Sequence, residues 1–313
     1  MTPYRFSPKH IGALVLCATG ACSSHGALAA FEITPRIALQ WANAETTESV
    51  YFPNGAKLSE LEWNLERVLR LDLGVTVQPV DWVRINIDYA LPIEDGQADM
   101  TDYDWMVPHL DWTHQSIHDD TVIKKANQFD IDAEFAVYTL GTVLLTGGIG
   151  YRIDDWEWDA RGGTYTYSLA GFRDTSGAFP DGEKGITYAY KYSSFYVSLG
   201  AQTDIKNFAL GARVLYGPET KTETKDTHHM RGLTFEEDFD DTTMLSFELR
   251  GAWRINDSLS LFGDYSYTHY DEVKGQTLIT DTLTGAKFTD GVTKGAIESE
   301  SNVFSVGVSY RFF

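Results

Sequence analysis

Apolar and polar residues alternate with a period of two again and again along this chain, and that pattern leaves few folds open. Val83, Ile85, Ile87, Tyr89 and Leu91 alternate with Arg84, Asn86, Asp88 and Ala90. Phe129 to Val137 and Leu245 to Trp253 repeat it, with Asp130, Asp132 and Glu134, and Ser246, Glu248 and Arg250, on the other face. Successive side chains of a strand point to opposite sides, so each segment has one apolar and one charged face. No stretch approaches the roughly 18–20 unbroken apolar residues of a transmembrane helix. With 13% aromatics in 313 residues, the chain is too apolar to stay disordered. Its net charge of −20 speaks against a nucleic-acid partner, because phosphate binding needs a basic face.

Two architectures fit such strands. A soluble sandwich buries the apolar face, whereas a membrane barrel turns it to lipid and encloses the polar one. Spacing favours the barrel. Short turns near 78–81, 139–142, 203–207 and 255–257 alternate with long polar stretches near 42–57, 93–127, 154–185, 217–242 and 271–300. Outer-membrane barrels carry short turns on the periplasmic side and long loops outside. The chain also ends on an alternating, aromatic-rich segment, Phe304, Val306, Val308, Tyr310 and Phe312. The expectation is an all-β, ten-stranded antiparallel transmembrane β-barrel with both ends in the periplasm. Ten strands enclose a narrow lumen, which Arg84, Asp88, Asp132, Glu134, Arg213, Glu248 and Arg250 are expected to fill, disfavouring a wide channel.

The first residues read differently. Arg5 and Lys9 precede the apolar run Ile11–Ala21, and Ala27-Leu28-Ala29 fits a small-x-small cleavage site, so residues 1–29 are expected to be a signal peptide and 30–313 the barrel domain. Thr19-Gly20-Ala21-Cys22 lacks the large aliphatic residue of a lipobox. Both cysteines, Cys17 and Cys22, fall in this segment, so the mature chain has no thiol for disulfide, nucleophile or metal site.

On the expected outer rim, Asp102-Tyr103-Asp104 and Asp226-Thr227-His228 each place two titratable groups on one face of an extended strand, about 6.6–7 Å apart. A carboxylate pair shares a proton readily, and an Asp beside a His orients the imidazole and favours its charged form. One pair facing the other across a water makes a hydrolytic site. Solvated loop charge in an acidic chain gives the same triplets, and His269-Tyr270-Asp271 is a competitor. His109, His114 and His118 with Asp104 and Asp111 fit no standard zinc spacing, so no metal site is expected. GxSxG, HExxH, P-loop and GxGxxG motifs are absent from the sequence.

From about Ile33 to its end the chain resembles the omptin family, outer-membrane endoproteases of Gram-negative bacteria. The resemblance is carried by Met100-Thr-Asp-Tyr-Asp-Trp-Met106, Trp112-Thr-His-Gln-Ser-Ile-His118, Ala160-Arg-Gly-Gly-Thr-Tyr165, Gly171-Phe-Arg-Asp174 and Phe179-Pro-Asp-Gly-Glu183. It implies that Asp226 and His228 are the family's Asp–His dyad and Asp102 and Asp104 its facing Asp pair. Water activated between them then cleaves peptide or protein substrates at the cell surface with no covalent intermediate. Activity should fall below roughly pH 6, as a His of reference pKa about 6.5 protonates. For a basic residue at P1, Glu48 matches one pocket acid, with Met100 and Ile186 as apolar walls. Thr224 stands where the family has a second acid, and the adjacent Glu223 is a candidate substitute. His114 replaces the acid on the P1′ side, so dibasic cleavage is expected to be relaxed. The resemblance also implies lipopolysaccharide as an activating lipid, with no covalent cofactor. Tyr151 and Lys191 match its binding wall, but Ile153, Asp155 and Asp240 do not. The lipid is then bound elsewhere or needed less. A non-catalytic surface adhesin of the same family is the alternative reading.

Overall fold

A computed structural model of the chain describes residues 31–312, apart from Pro108 and Asp290 and the side chains of Asp240 and Asp241. The expected signal peptide at 1–29, with Cys17 and Cys22, lies outside the described residues, as do Phe313 and the Asp240 side chain. Every regular element is a strand: β1 (Glu32–Tyr51), β2 (Lys57–Val80), β3 (Val83–Pro92), β4 (Gly96–Asp104), β5 (His114–Leu140), β6 (Val143–Arg161), β7 (Thr164–Tyr167), β8 (Thr175–Ala178), β9 (Lys184–Ile205), β10 (Phe208–His228), β11 (Leu233–Arg254), β12 (Leu259–Gly275), β13 (Thr277–Asp281), β14 (Lys287–Thr289) and β15 (Lys294–Tyr310).

Ten of them close a ring, β1–β2–β3–β5–β6–β9–β10–β11–β12–β15 and back to β1, with antiparallel neighbours throughout. Closure leaves no free edge, which lipid requires, since it offers backbone amides no partner. The short strands extend this wall: β4 continues the line of β3 between β2 and β5, and β13 pairs with β11 above β12. At the bottom the turns are tight, at Asp81–Trp82, Gly141–Thr142 and Lys206–Asn207, as the spacing predicts. The last described residue bridges back to β1, the Phe312 N–H donating to the Ile33 carbonyl at 2.9 Å.

The stretches expected to be long loops are instead mostly wall. β1 pairs without a break from Ala44 to Val50, and β10 runs to His228. The 20 residues of β1, at about 3.3 Å each, reach about 65 Å, whereas a bilayer takes ~9–11 strand residues. The lower part carries the exposed apolar belt, with Ile37, Leu39 and Trp41 on β1, Phe195, Val197 and Leu199 on β9, and Phe304, Val306 and Val308 on β15. The upper part stands clear of the membrane. Polar residues point outward there because that outer face meets water.

The inside changes character with height. At membrane level, arginines bridge strands: Arg152 contacts Asp130 (2.6 Å) and Glu248 (2.8 Å), Arg213 contacts Asp132 (3.2 Å), Arg84 contacts Glu134 (3.3 Å) and Arg250 contacts Asp264 (2.8 Å). These side chains cross the lumen without filling it, and a cavity of about 370 Å³ lined by them remains. Higher up the lumen closes over an aromatic floor. Trp63 is fully buried, stacked on Tyr188 (5.6 Å between centroids) and edge-on to Trp158 (5.4 Å). Met100, Tyr190 and Tyr192 are buried with them. Such rings bury roughly 150–250 Å² each, and this floor is the main apolar core of the protein.

Candidate active site

Above the floor, the alternation decides which side chains enter the mouth. On β4, Met100, Asp102 and Asp104 face inward, level with His118, Ser116 and His114 of β5. On β10, Thr224, Asp226 and His228 face inward, level with Tyr190, Tyr188 and Ile186 of β9. The two strands lie on opposite sides of the ring, four positions apart one way round and six the other. Two hairpin tips more than a hundred residues apart in sequence therefore face each other.

Asp226 is 2% exposed, and its Oδ2 lies 2.6 Å from His228 Nε2. The ring of His228 is held edge-on against Phe235 at 5.3 Å, and its Nδ1 faces Arg231, with Nη1 at 3.4 Å. Across the mouth, burial pushes Asp102 well above the usual carboxylate range, and the charges of Asp104 and Asp226 push it further. Burial raises Asp104 too, against lowering contributions from Ser59, His114, Arg231 and His228. The Asp pair feels the charges of both dyad residues, which places the two pairs around one common space. Because like charges this close resist joint ionisation, the Asp pair holds a proton readily. Tyr167, on β7, is pushed up to about 12 by burial and then by Asp102 and Asp104. The hairpin that carries it leaves β6 at Gly162-Gly163. Gly163 adopts φ +97°, and a Cβ there would sit 2.2 Å from the Ile117 carbonyl oxygen.

Beside the dyad lies a cluster of buried carboxylates. Glu48 on β1 is buried, its Oε2 is without a partner, and burial followed by Asp226, Glu237 and Asp102 drives its acidity well down. Ile186 and Met100 are buried as well. Glu237, which sequence reading missed, stands directly across from Thr224 on β11 and accepts a 2.5 Å hydrogen bond from its hydroxyl. Glu223 cannot substitute for the missing acid, because it is one residue out of phase with Thr224 and points outside, toward Lys191 and Lys221. The Tyr188 hydroxyl and Asp226 Oδ1 are buried without partners. His114 is level with Asp104, packs 4.9 Å from Tyr167 and shares a 3.0 Å contact with the Thr113 hydroxyl. His269 and Asp271, 3.2 Å apart, lie beside Glu298 and Glu300 on the β12–β15 wall, and among the described residues no ion pair joins them to either pair.

A family model described as the Omptin family matches residues 29–312. The chain belongs to the omptin family. Among curated relatives, the plasminogen activator of Yersinia pestis is 28% identical over 261 residues, 82% of each chain. The outer membrane protease OmpP of Escherichia coli K12 is 26% identical over 287 residues, 90% of each. The crystal structure of the outer membrane protease OmpT from Escherichia coli shares the fold with a TM-score of 0.83 at 24% identity, over 90% of this chain and 98% of that one. This omptin is an outer-membrane peptidase of a Gram-negative bacterium.

Proposed function

We propose that this omptin is an endopeptidase that cuts next to basic residues, using a water held between Asp226–His228 and Asp102/Asp104. The observation that carries the reading is the 2.6 Å Asp226–His228 contact facing an inward Asp pair across the mouth. His228 takes the water's proton, Asp226 orients the imidazole, and the hydroxide attacks the scissile carbonyl. The Asp102/Asp104 pair holds the water and shares a proton. No side chain becomes acylated.

Specificity follows from the cluster of buried carboxylates. Glu48 and Glu237 form a two-carboxylate cup with apolar walls at Met100 and Ile186, and Thr224 braces Glu237 through its hydroxyl. A P1 Arg or Lys supplies the cation that these carboxylates lack. On the other side His114 beside Tyr167 offers no net acid, so P1′ selection is relaxed rather than strictly basic.

The lipid enters this proposal as a weak activator. Tyr151 and Lys191 both lie on the outer wall of β6 and β9, but Lys191 has Glu223 at 3.8 Å, and Asp155 is paired with Lys125 at 2.5 Å. That wall carries acid beside each of these cations and grips phosphates less firmly, so lipopolysaccharide dependence is reduced. The test is cleavage of quenched peptides with Arg-Arg, Lys-Arg and Arg-Val bonds by refolded protein, with and without lipopolysaccharide, repeated with Asp226→Ala and His228→Ala. Cleavage indifferent to both substitutions discards the mechanism. No cleavage of any peptide leaves the surface-adhesin reading.

A further inference from the structure

The hydrogen-bonding state of His228 singles out Arg231. A guanidinium only donates, so His228 Nδ1, 3.4 Å from Arg231 Nη1, is the accepting nitrogen, and Nε2 carries the proton given to Asp226. The only nitrogen of the dyad able to take a proton from water is therefore the one Arg231 rests against. Arg231 sits at the tip between β10 and β11. That turn is closed by its own N–H to the His228 carbonyl (3.2 Å) and pinned to the neighbouring hairpin by Thr282 N–H to the Gly232 carbonyl (2.8 Å). Its charge reaches Asp102, Asp104 and Tyr167 across the mouth, yet among the described residues no carboxylate lies within 4 Å of it.

We propose that Arg231 is a catalytic residue that passes its hydrogen bond from His228 Nδ1 to the oxyanion of the tetrahedral intermediate. The inference rests on the peptidase mechanism above. Nδ1 has one lone pair, so the attacking water displaces the Arg231 N–H from it; when that water gives its proton to Nδ1 the ring gains a positive charge, and the guanidinium is kept from returning. At the same moment the hydroxide oxygen bonds to the carbonyl carbon, and the C=O π pair moves onto oxygen. Arg231, released, donates to that negative oxygen. On collapse the C–N bond breaks, and the proton on Nδ1 passes to the departing amine. Water is consumed, and nothing is oxidised or reduced.

The test compares wild type, Asp226→Ala, Arg231→Met and Arg231→Lys on a quenched Arg-Arg peptide. The same proteins are titrated with the matching phosphinate peptide, whose tetrahedral oxygens mimic the intermediate. Heat-modifiable gel migration checks that each barrel is folded. For Arg231→Met the expected result is a ~10²–10³-fold loss of kcat with KM little changed, a parallel loss of phosphinate affinity, and partial retention of both in Arg231→Lys. Wild-type kcat in Arg231→Met, or a rise, overturns the assignment, since a mere cap on the base would speed the reaction when removed. So does a fall in kcat with phosphinate affinity unchanged. An inert wild type sinks the mechanism and this inference together. An active wild type silenced by Asp226→Ala but indifferent at Arg231 sinks this inference alone.

Discussion

The two halves of the lumen handle buried charge in opposite ways. At membrane level, Asp130, Asp132, Glu134, Glu248 and Asp264 each have an arginine within 3.5 Å. Above the aromatic floor, Glu48, Asp102, Asp104, Asp226 and Glu237 have no Lys or Arg within 4 Å among the described residues, and only Asp226 has a histidine. A buried carboxylate without a cation costs stability, so the lower set holds the barrel together while the upper set is kept at a cost to it. The structural half neutralises itself. The upper half does not, and under the proposed function a basic substrate side chain completes it.

The largest effect is expected in the upper half. Asp226→Ala or His228→Ala should lower kcat by ~10²–10⁴-fold while leaving the barrel folded, as read by peptide turnover beside heat-modifiable migration. Arg152→Met should do the reverse, because it strands Asp130 and leaves Glu248 with only its longer contact to Arg213. A loss of about 3–5 kcal/mol in urea unfolding is expected, with the preference among peptides unchanged. If Arg152→Met altered P1 preference instead, the division between the halves would disappear.

Glu48→Gln and Glu237→Gln should each weaken the response to a basic P1 by about 1–3 kcal/mol, seen as a lower kcat/KM for Arg peptides but not for Ala peptides. Equal loss on both would mean that the cup does not read charge. The smallest effect concerns pH. Burial raises Glu48 and Glu237 above their unfolded values, so the folded chain binds protons more tightly than the unfolded chain. Stability then falls as pH rises from the unfolded carboxylate pKa toward the raised folded values and is regained on acidification. Glu48→Gln should accordingly raise thermal stability at pH 8 but not at pH 4. Turnover of basic peptides should fall on acidification as the cup loses its charge. A stabilisation equal at both pH values would assign the gain to packing.

Much of this was legible in the residues. Period-two alternation specified the ten staves and the tight lower turns, since lipid on one side and a lumen on the other demand it. The spacing of Asp102 with Asp104, and of Asp226 with His228, put each pair on one face. Glu237 is not legible because 217–242 reads as a long polar stretch, where no face is assigned; the pairing of β10 with β11 sets it opposite Thr224, and Glu223, one residue out of phase, points outward. Arg231 lies at a hairpin tip, where periodicity says nothing about direction.

What the sequence by itself determined is the local geometry of each strand, because side-chain parity depends only on the chain's own pleat. What the tertiary structure alone decided is which faces meet. The joining of β4, β1, β10 and β11 around one mouth depends on barrel closure, on bulges that change parity between the lower and upper wall, and on the aromatic floor beneath. Those are long-range packing outcomes that no window of neighbouring residues contains.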